Sequence, residues 1–549
     1  MATVEGQDAS VAVTIESPEK SVPAPAATPI EPTEVSQPDI EHVYVENDPR
    51  KWSKARKMTV LCIISGASII AGLGSNIYNP SIHDIEVDLN ANNSEISLTL
   101  SLFILLQGVI PLLWSSISEI KGRKVVYITS ITLYTVGSIC VATAKSIRVV
   151  IGMRCLQALG SSAVISIGAA TLADIYEPHE RGTMMGVYYT APLLGPSVGS
   201  ILGGGLTQGF NWRASFWFLT IFGGINLISF LFLFSDTFRR ERSLTYQNVL
   251  RRRTREQEAA MLASKRSSQV TVVPPEKSAK QELVKQGDAV DAAPELTKKD
   301  LEAQNSPPAP PPMKEIKLSF LDINPFPPIS LVMRRGNNAA ILTASGLIFG
   351  FNYCISYTCS RNLSSIYGYN ALKIGLVLVA YGIGSICGSV LGGRWSDWVF
   401  RRLKTRKGGS SYAEMRLEST KPGMIVLPLA CVAYGWLVQK HVHIAAVCVA
   451  LFFCGFSSIF IYTSTLAYIV DANVGRSSTA VACNSMFRGV LAFVATEVAV
   501  PLDNAIGEGG LYSLWAGLLV VTEGLILLVW WKGGQWREHA EAREKSKRR

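Results

Sequence analysis

Stretches of about twenty apolar residues, separated by short polar or charged turns, recur along most of this chain. Each is long enough to cross a hydrocarbon core of about 30 Å as a helix. The pattern predicts spans near 58–80, 95–117, 125–144, 149–173, 183–206 and 215–235. A second set follows near 337–358, 372–396, 422–438, 443–470, 478–502 and 511–531. Six plus six spans, with a long polar stretch between them, predict an all-helical membrane protein of two bundles.

Composition agrees. Of 549 residues, 48% are hydrophobic and 17% charged, against about a quarter charged in a soluble domain. The formal net charge of +10 could point to nucleic acid, but its placement does not. Lys and Arg crowd the segment before the first span (Arg50, Lys51, Lys54, Arg56, Lys57), the turns Lys121–Lys124 and Arg401–Lys407, the middle loop and the tail Lys545–Arg549. The opposite loops Ser81–Ser94 and Asp503–Gly510 carry neither residue. By the positive-inside rule both termini and the middle loop are expected in the cytoplasm.

Residues 1–50 read as a disordered cytoplasmic tail, rich in Pro, Glu, Ser and Thr and too poor in bulky apolar side chains to fold. The first bundle is then 51–236, a mostly disordered central loop 237–336, the second bundle 337–535 and a basic tail 536–549. No cleavable signal peptide is read, so the first span is expected to serve as the anchor. The ten cysteines are scattered singly and read as small buried hydrophobes. The six histidines show no ligand spacing, so neither a metal nor another cofactor is expected. No phosphate-cradling G-x-x-x-x-G-K-[ST] loop appears, which argues against ATP as the energy source. No clustered histidine box suggests a membrane-embedded enzyme.

The second span ends in Trp114-Ser-Ser-Ile-Ser-Glu119-Ile-Lys121-Gly122-Arg123-Lys124, and the eighth in Gly392-Gly-Arg-Trp-Ser-Asp397-Trp-Val-Phe-Arg401-Arg402. A carboxylate followed by cations, in matching places of two halves, is internal duplication, the mark of a secondary transporter. Glu119, Gly122, Arg123, Lys124, Asp397 and Arg401 are expected to form a gating latch at the helix ends. The duller reading is a solvated charged turn.

These residues carry a resemblance to the major facilitator superfamily, and within it to the fungal twelve-span drug:proton antiporters of the quinidine-resistance type. The family's turn between helices two and three is written G-x-L-x-D-R-x-G-R-R; here Ser115, Glu119 and Ile120 replace the first glycine, the aspartate and the first arginine. Tyr468-Ile-Val-Asp-Ala-Asn-Val-Gly-Arg-Ser-Ser-Thr-Ala-Val-Ala-Cys-Asn484 is a tract of the kind that subgroup carries. The resemblance covers about residues 50–535 outside the central loop. It implies a major-facilitator fold, twelve transmembrane helices in two six-helix bundles, with cargo and proton as partners and the plasma membrane favoured over the vacuole.

Arg154 and Gln157 share one face of the fourth span, because residues three apart stack on a helix. An arginine inside a span is costly unless it faces protein or water; snorkelling to the interface is the alternative. The family's R-x-x-Q-G pattern matches Arg154 and Gln157, with Ala158 at the glycine, and implies that the arginine tunes a nearby acid in proton coupling. In the fifth span Gly195, Gly199 and Gly203 recur every four residues, as do Gly384, Gly388 and Gly392 in the eighth. Such small-residue stripes allow close helix approach, and the two are expected to pack on each other between the halves. Gly195-Pro196 also resembles the family's antiporter element G-P-x-x-G, which implies export; Ser200 stands where its next glycine would be.

Glu497 and Glu523 are the candidate proton carriers, since a carboxylate removed from water favours its neutral form. The bland reading of each is a polar residue near the boundary. Asn76, Tyr78, Gln107, Gln157, Tyr189, Asn352, Tyr353 and Asn484 are candidates to line a central cavity, where aromatic faces would suit apolar or cationic cargo. The expected function is a proton-driven, monomeric exporter of small organic compounds. A nutrient importer on the same scaffold, or a membrane sensor using the central loop, are the rivals.

Overall fold

The computed structural model describes residues 47–177, 180, 184–185, 187–188, 191–192, 195–239, 247, 250–259, 262, 326–408, 412–473 and 477–546. All regular structure among them is helical. Ser53 caps α1 (Lys54–Asn76), its hydroxyl accepting from the Arg56 amide at 3.4 Å. A short amphipathic helix, α2 (Ile82–Leu89), follows, burying Ile82 and Ile85 and ending at Asn90 in the left-handed region. Hydropathy alone had given no sign of it, because eight residues are too few to register as a span.

The second span is a bent pair. A capping box of Asn92 and Glu95 starts α3 (Asn93–Val109), and Pro111 opens α4 (Pro111–Lys121) at an angle of 42°. Next come α5 (Arg123–Ala142) and α6 (Ile147–Ile175). The fifth predicted span lies partly outside the described residues. From Gly195 onward it is a π-helical turn, Gly195–Gly199, running into α7 (Ser200–Gly209), and α8 (Trp212–Phe232) closes the first set.

The second set begins with the short α9 (Phe326–Met333), followed by α10 (Gly336–Ser365), α11 (Ala371–Arg406), α12 (Lys421–Gln439) and α13 (Ile444–Ala472). The eleventh and twelfth predicted spans form one helical run, α14 (Ser477–Ser546), broken at Gly507 with φ +72°. At about 1.5 Å per residue, the 36 residues of α11 reach roughly 54 Å, well beyond a hydrocarbon core. Arg401 therefore lies within a helix rather than in the expected turn, since hydropathy marks where lipid ends and not where hydrogen bonding stops.

Two antiparallel crossings join the sets. Gly108 of α3 lies against Gly489 of α14, while Ser97 and Ser101 meet Glu497 further along the same pair. Likewise Ser197, Ser200 and Gly204 meet Gly382, Gly375 and Ala371 in turn along α11. The second span pairs with the eleventh as the eighth pairs with the fifth, which is a twofold exchange of halves. The Glu119 and Asp397 turns consequently stand at one rim, the basic one.

The tail is not free. Arg335 at the start of α10 grips Glu544 with both arms, at 3.0 and 3.2 Å, and Arg537 reaches the buried Glu414 at 3.3 Å. A tail read as merely basic thus docks through its acids as well.

Candidate functional site

At the basic rim of the first half, Gly122 sits at φ +88°, where any Cβ would collide with the Asp236 carboxylate. The reversal it permits starts α5 and turns Arg123 inward. Arg123 Nε donates to Asp174 Oδ2 at 3.3 Å, its Nη1 to Ser118 Oγ at 2.5 Å, and its backbone N–H to Asp236 Oδ1 at 3.1 Å. Thr237 adds a hydroxyl donor to Asp174 at 3.2 Å, and the Phe238 ring covers the guanidinium. The ends of three helices are held by one cation.

The second half repeats the device with a different member. Arg416 donates from Nη1 to Asp397 Oδ1 at 2.6 Å and from Nε to Asp471 Oδ2 at 3.0 Å, over the Phe400 ring. Arg401, the cation expected there, is exposed. The cation that serves lies past the end of α11, too far along the chain for motif spacing to reveal. Glu119 is half-buried and makes no ion pair among the described residues; Asp174 holds Arg123 instead. Lys124 donates to the Leu231 carbonyl at 3.0 Å. Of the expected latch residues, Gly122, Arg123 and Asp397 thus sit in these networks beside Asp174, Asp236, Arg416 and Asp471, whereas Glu119 and Arg401 make no ion pair in them.

Hydrogen bonds from charged groups are worth about 1.5–3 kcal/mol. Asp174→Asn should accordingly slow transport about tenfold more than Glu119→Gln, read as initial rates on matched amounts of protein. Equal effects would show that the latch does not run through Asp174.

Within α6 Arg154 is fully buried, which rules out snorkelling. Its Nη1 donates to the Gly74 carbonyl at 2.7 Å and to Gln157 Oε1 at 3.2 Å. Gln157 in turn donates to Ser138 at 2.7 Å. The guanidinium lies 4.2 Å from the Phe103 ring centre and 5.1 Å from that of Tyr78. Its Nε and Nη2 make no hydrogen bond, and no carboxylate pairs with it among the described residues. The acid it was expected to tune is not adjacent.

The other cavity candidates divide. Tyr78 is fully buried and bonded to Thr99 at 2.6 Å, so it is packing behind α1 rather than lining. Asn76 donates to the Gly72 carbonyl at 2.9 Å, and half-buried Gln107 to that of Ala71 at 3.2 Å. Tyr353 is half-buried against Phe349. Asn352 and Asn484 each leave the side-chain oxygen without a hydrogen bond. Tyr189 lies outside the described residues. Two neighbours escaped the sequence reading as ligands: Arg488, whose Nη1 donates to Tyr462 at 2.7 Å, and Tyr462 itself. A lone arginine in a span was the available signal.

Of the candidate proton carriers, Glu497 accepts hydrogen bonds from Ser97, at 3.0 Å, and from Ser101, bridging the two halves near the rim opposite the basic one. Glu523 is buried, and its Oε1 makes no hydrogen bond. Glu508, overlooked because it follows the break at Gly507, is also buried and bonded to Asn362.

The glycine stripes are corrected. Gly195 and Gly203 pack on the backbone of α1, where a Cβ at Gly203 would stand 2.0 Å from the Ile77 carbonyl oxygen. Gly384, Gly388 and Gly392 pack on α13 at Phe452, Phe456 and Phe460. The two helices do meet, but on another face, through Gly204, Gly375 and Gly382. Gly199 lies against Asn76, and Pro196 falls within the π-helical turn.

Residues 64–496 match the sequence model of the Major Facilitator Superfamily. The chain is 28% identical over 563 residues to "MFS antiporter QDR3" of Candida albicans, covering 90% of this chain and 80% of that protein. It is 27% identical over 513 residues to "Citrate exporter 1" of Aspergillus niger, covering 90% of each. Among solved structures, a POT family transporter in complex with 5-aminolevulinic acid aligns with a TM-score of 0.58 at 12% identity, covering 88% of this chain and 98% of that one.

Proposed function

Because the chain belongs to the Major Facilitator Superfamily, we propose that it exports small organic compounds by alternating access, exchanging them for protons. The single observation that carries this reading is where the halves touch. Their crossings draw together toward the rim opposite the basic turns, through Ser200–Gly375, Gly204–Ala371 and Glu497 with Ser97 and Ser101. At the basic rim each half is held by its own arginine, Arg123 or Arg416. This is the shape of a transporter closed on one side and loading from the other.

The moving bodies are 51–236 and 337–535. The basic rim faces the cytoplasm, as do both termini, and the protein works as a monomer in the plasma membrane with no cofactor beyond the proton gradient. The names of two relatives, an antiporter and a citrate exporter, support the outward direction.

Glu497 is the proton carrier that best fits this cycle. As a carboxylate it accepts both serine hydroxyls and ties the outer side shut. A proton arriving from outside removes the charge and weakens that tie, because charge-assisted hydrogen bonds are roughly twice as strong as neutral ones. Opening outward and protonation then favour each other.

Inside-out vesicles with an acid interior test the whole reading. Cargo should accumulate with the gradient imposed and fail to do so when it is collapsed; uptake indifferent to the gradient would sink antiport. Glu497→Gln should cut gradient-driven accumulation about tenfold or more while leaving exchange of labelled for unlabelled cargo intact. Loss of both would point to a structural role for Glu497 instead.

A further inference from the structure

Two guanidinium groups are set among the helices of this protein, one from each half, and neither has a carboxylate partner among the described residues. Arg154 is fully buried, with Nε and Nη2 making no hydrogen bond. Arg488 lies over the Phe349 ring, 3.7 Å from its centre, with Nη1 on Tyr462 and Nε making no hydrogen bond. Arg488 adjoins the Gly489–Gly108 crossing between the two halves. Tyr353 packs against the same Phe349 ring. Glu497, on the same helix as Arg488, is nine residues on, about 13.5 Å along the axis, and is taken up by Ser97 and Ser101.

A cation held out of water without a counter-ion is costly. The groups around Arg488 are poor at relieving that cost by themselves but good at recognising an anion. Tyr462 accepts from Arg488, which leaves its own O–H to donate elsewhere. Asn484 turns its amide toward the same phenol at 3.5 Å. Arg488 and Asn484 thus meet at the Tyr462 oxygen. The ring faces that might have drawn a cationic cargo are already occupied: Phe349 and Tyr462 by Arg488, Phe103 and Tyr78 by Arg154. A second cation would meet two like charges.

We propose that the cargo is an organic carboxylate, gripped by Arg488 with Tyr462 and Asn484 and drawn into the centre by the additional charge of Arg154. This deepens the export reading and rests on it for the cargo's direction of travel, while the site itself can be tested without transport. Arginine suits the role because its planar fork meets a carboxylate with two parallel hydrogen bonds, which a lysine cannot reproduce. The proposed cargo is an anion, whereas the aromatic candidates taken alone suit apolar or cationic cargo.

The test is equilibrium binding to the purified full-length protein in lipid nanodiscs, with benzoate, succinate, citrate and the cation tetraphenylphosphonium as probes. At least one carboxylate should bind, and tetraphenylphosphonium should not. Arg488→Gln should weaken the carboxylate about tenfold to a hundredfold, the loss of a charged hydrogen-bonding partner. Arg488→Lys should weaken it several-fold, and thermal melting of both variants shows whether they fold. Binding of tetraphenylphosphonium with no carboxylate bound, carboxylate affinity indifferent to Arg488→Gln in a folded variant, or no binding of any probe would each overturn the proposal. Vesicle transport separates the two readings. Carboxylate binding lost in Arg488→Gln without gradient-driven accumulation supports the anion site and overturns export; accumulation of tetraphenylphosphonium without carboxylate binding does the reverse.

Discussion

Gly375→Leu is expected to give a folded protein that carries no cargo. A Cβ at this position would stand 2.3 Å from the carbonyl oxygen of Ser200, and the reciprocal Gly204 has only 2.5 Å to that of Ala371. Both contacts lie between the halves, so the added side chain leaves packing within each half untouched. Backbone cannot yield as a flexible side chain can. Overpacking of this kind costs about 1–3 kcal/mol per site and more for a long side chain against backbone. The halves avoid the cost by separating on that side, which removes the closed state from the cycle. Each 1.4 kcal/mol is a factor of about ten in population, so transport should fall about a hundredfold or more. Thermal melting should move by only a few degrees. Gly203→Ala is the control: its 2.0 Å contact with Ile77 is inside one half, so folded yield rather than cycling should suffer. Wild-type transport rates in folded Gly375→Leu would show that closure does not occur there.

Arg154→Met is the second large effect, and its two readouts should diverge. Methionine fills a similar volume without charge, so the cost of burying a guanidinium disappears along with its bonds to Gly74 and Gln157. Replacing buried charges by apolar groups of like volume is often neutral or stabilising by about 1–4 kcal/mol. Folded yield and melting temperature should therefore hold or rise. Transport should nevertheless fall about a hundredfold, since the charge is kept at a standing cost that only function explains. Arg154→Lys, which keeps charge but loses the fork, should fall between the two. A fall in stability together with transport would make Arg154 a structural residue.

The architecture was legible in the sequence because lipid imposes a simple rule: twenty apolar residues, then a charged turn. Where the rule was not simple, the reading slipped. The fourth-residue spacing of Gly195, Gly199 and Gly203 identified a close-packed face, but a helix has several faces. Gly204 is one residue and about 100° further round, and spacing cannot say which neighbour each face meets. Arg416 was missed because the latch is completed across a turn rather than within the motif that announces it. Glu119 was chosen for its type and place, yet Asp174, from another helix end, reaches Arg123. Arg488 is in sequence a lone arginine within a span; its ring platform comes from α10 and its phenol from α13, and the three are brought together only by folding.

The docked end of the last helix bears on how the long middle segment can vary. Arg335 is the final residue before α10 and is clamped from the far side by Glu544, with a further contact to the Ala472 carbonyl at 3.4 Å. Any tug, insertion or shortening upstream must pass through a residue already moored to the opposite end of the chain. The mooring acts as a strain relief, like the collar where a cable enters its housing. Loop length is thereby uncoupled from the register of the helices behind it, and the connecting segment is free to drift in sequence without resetting the machine.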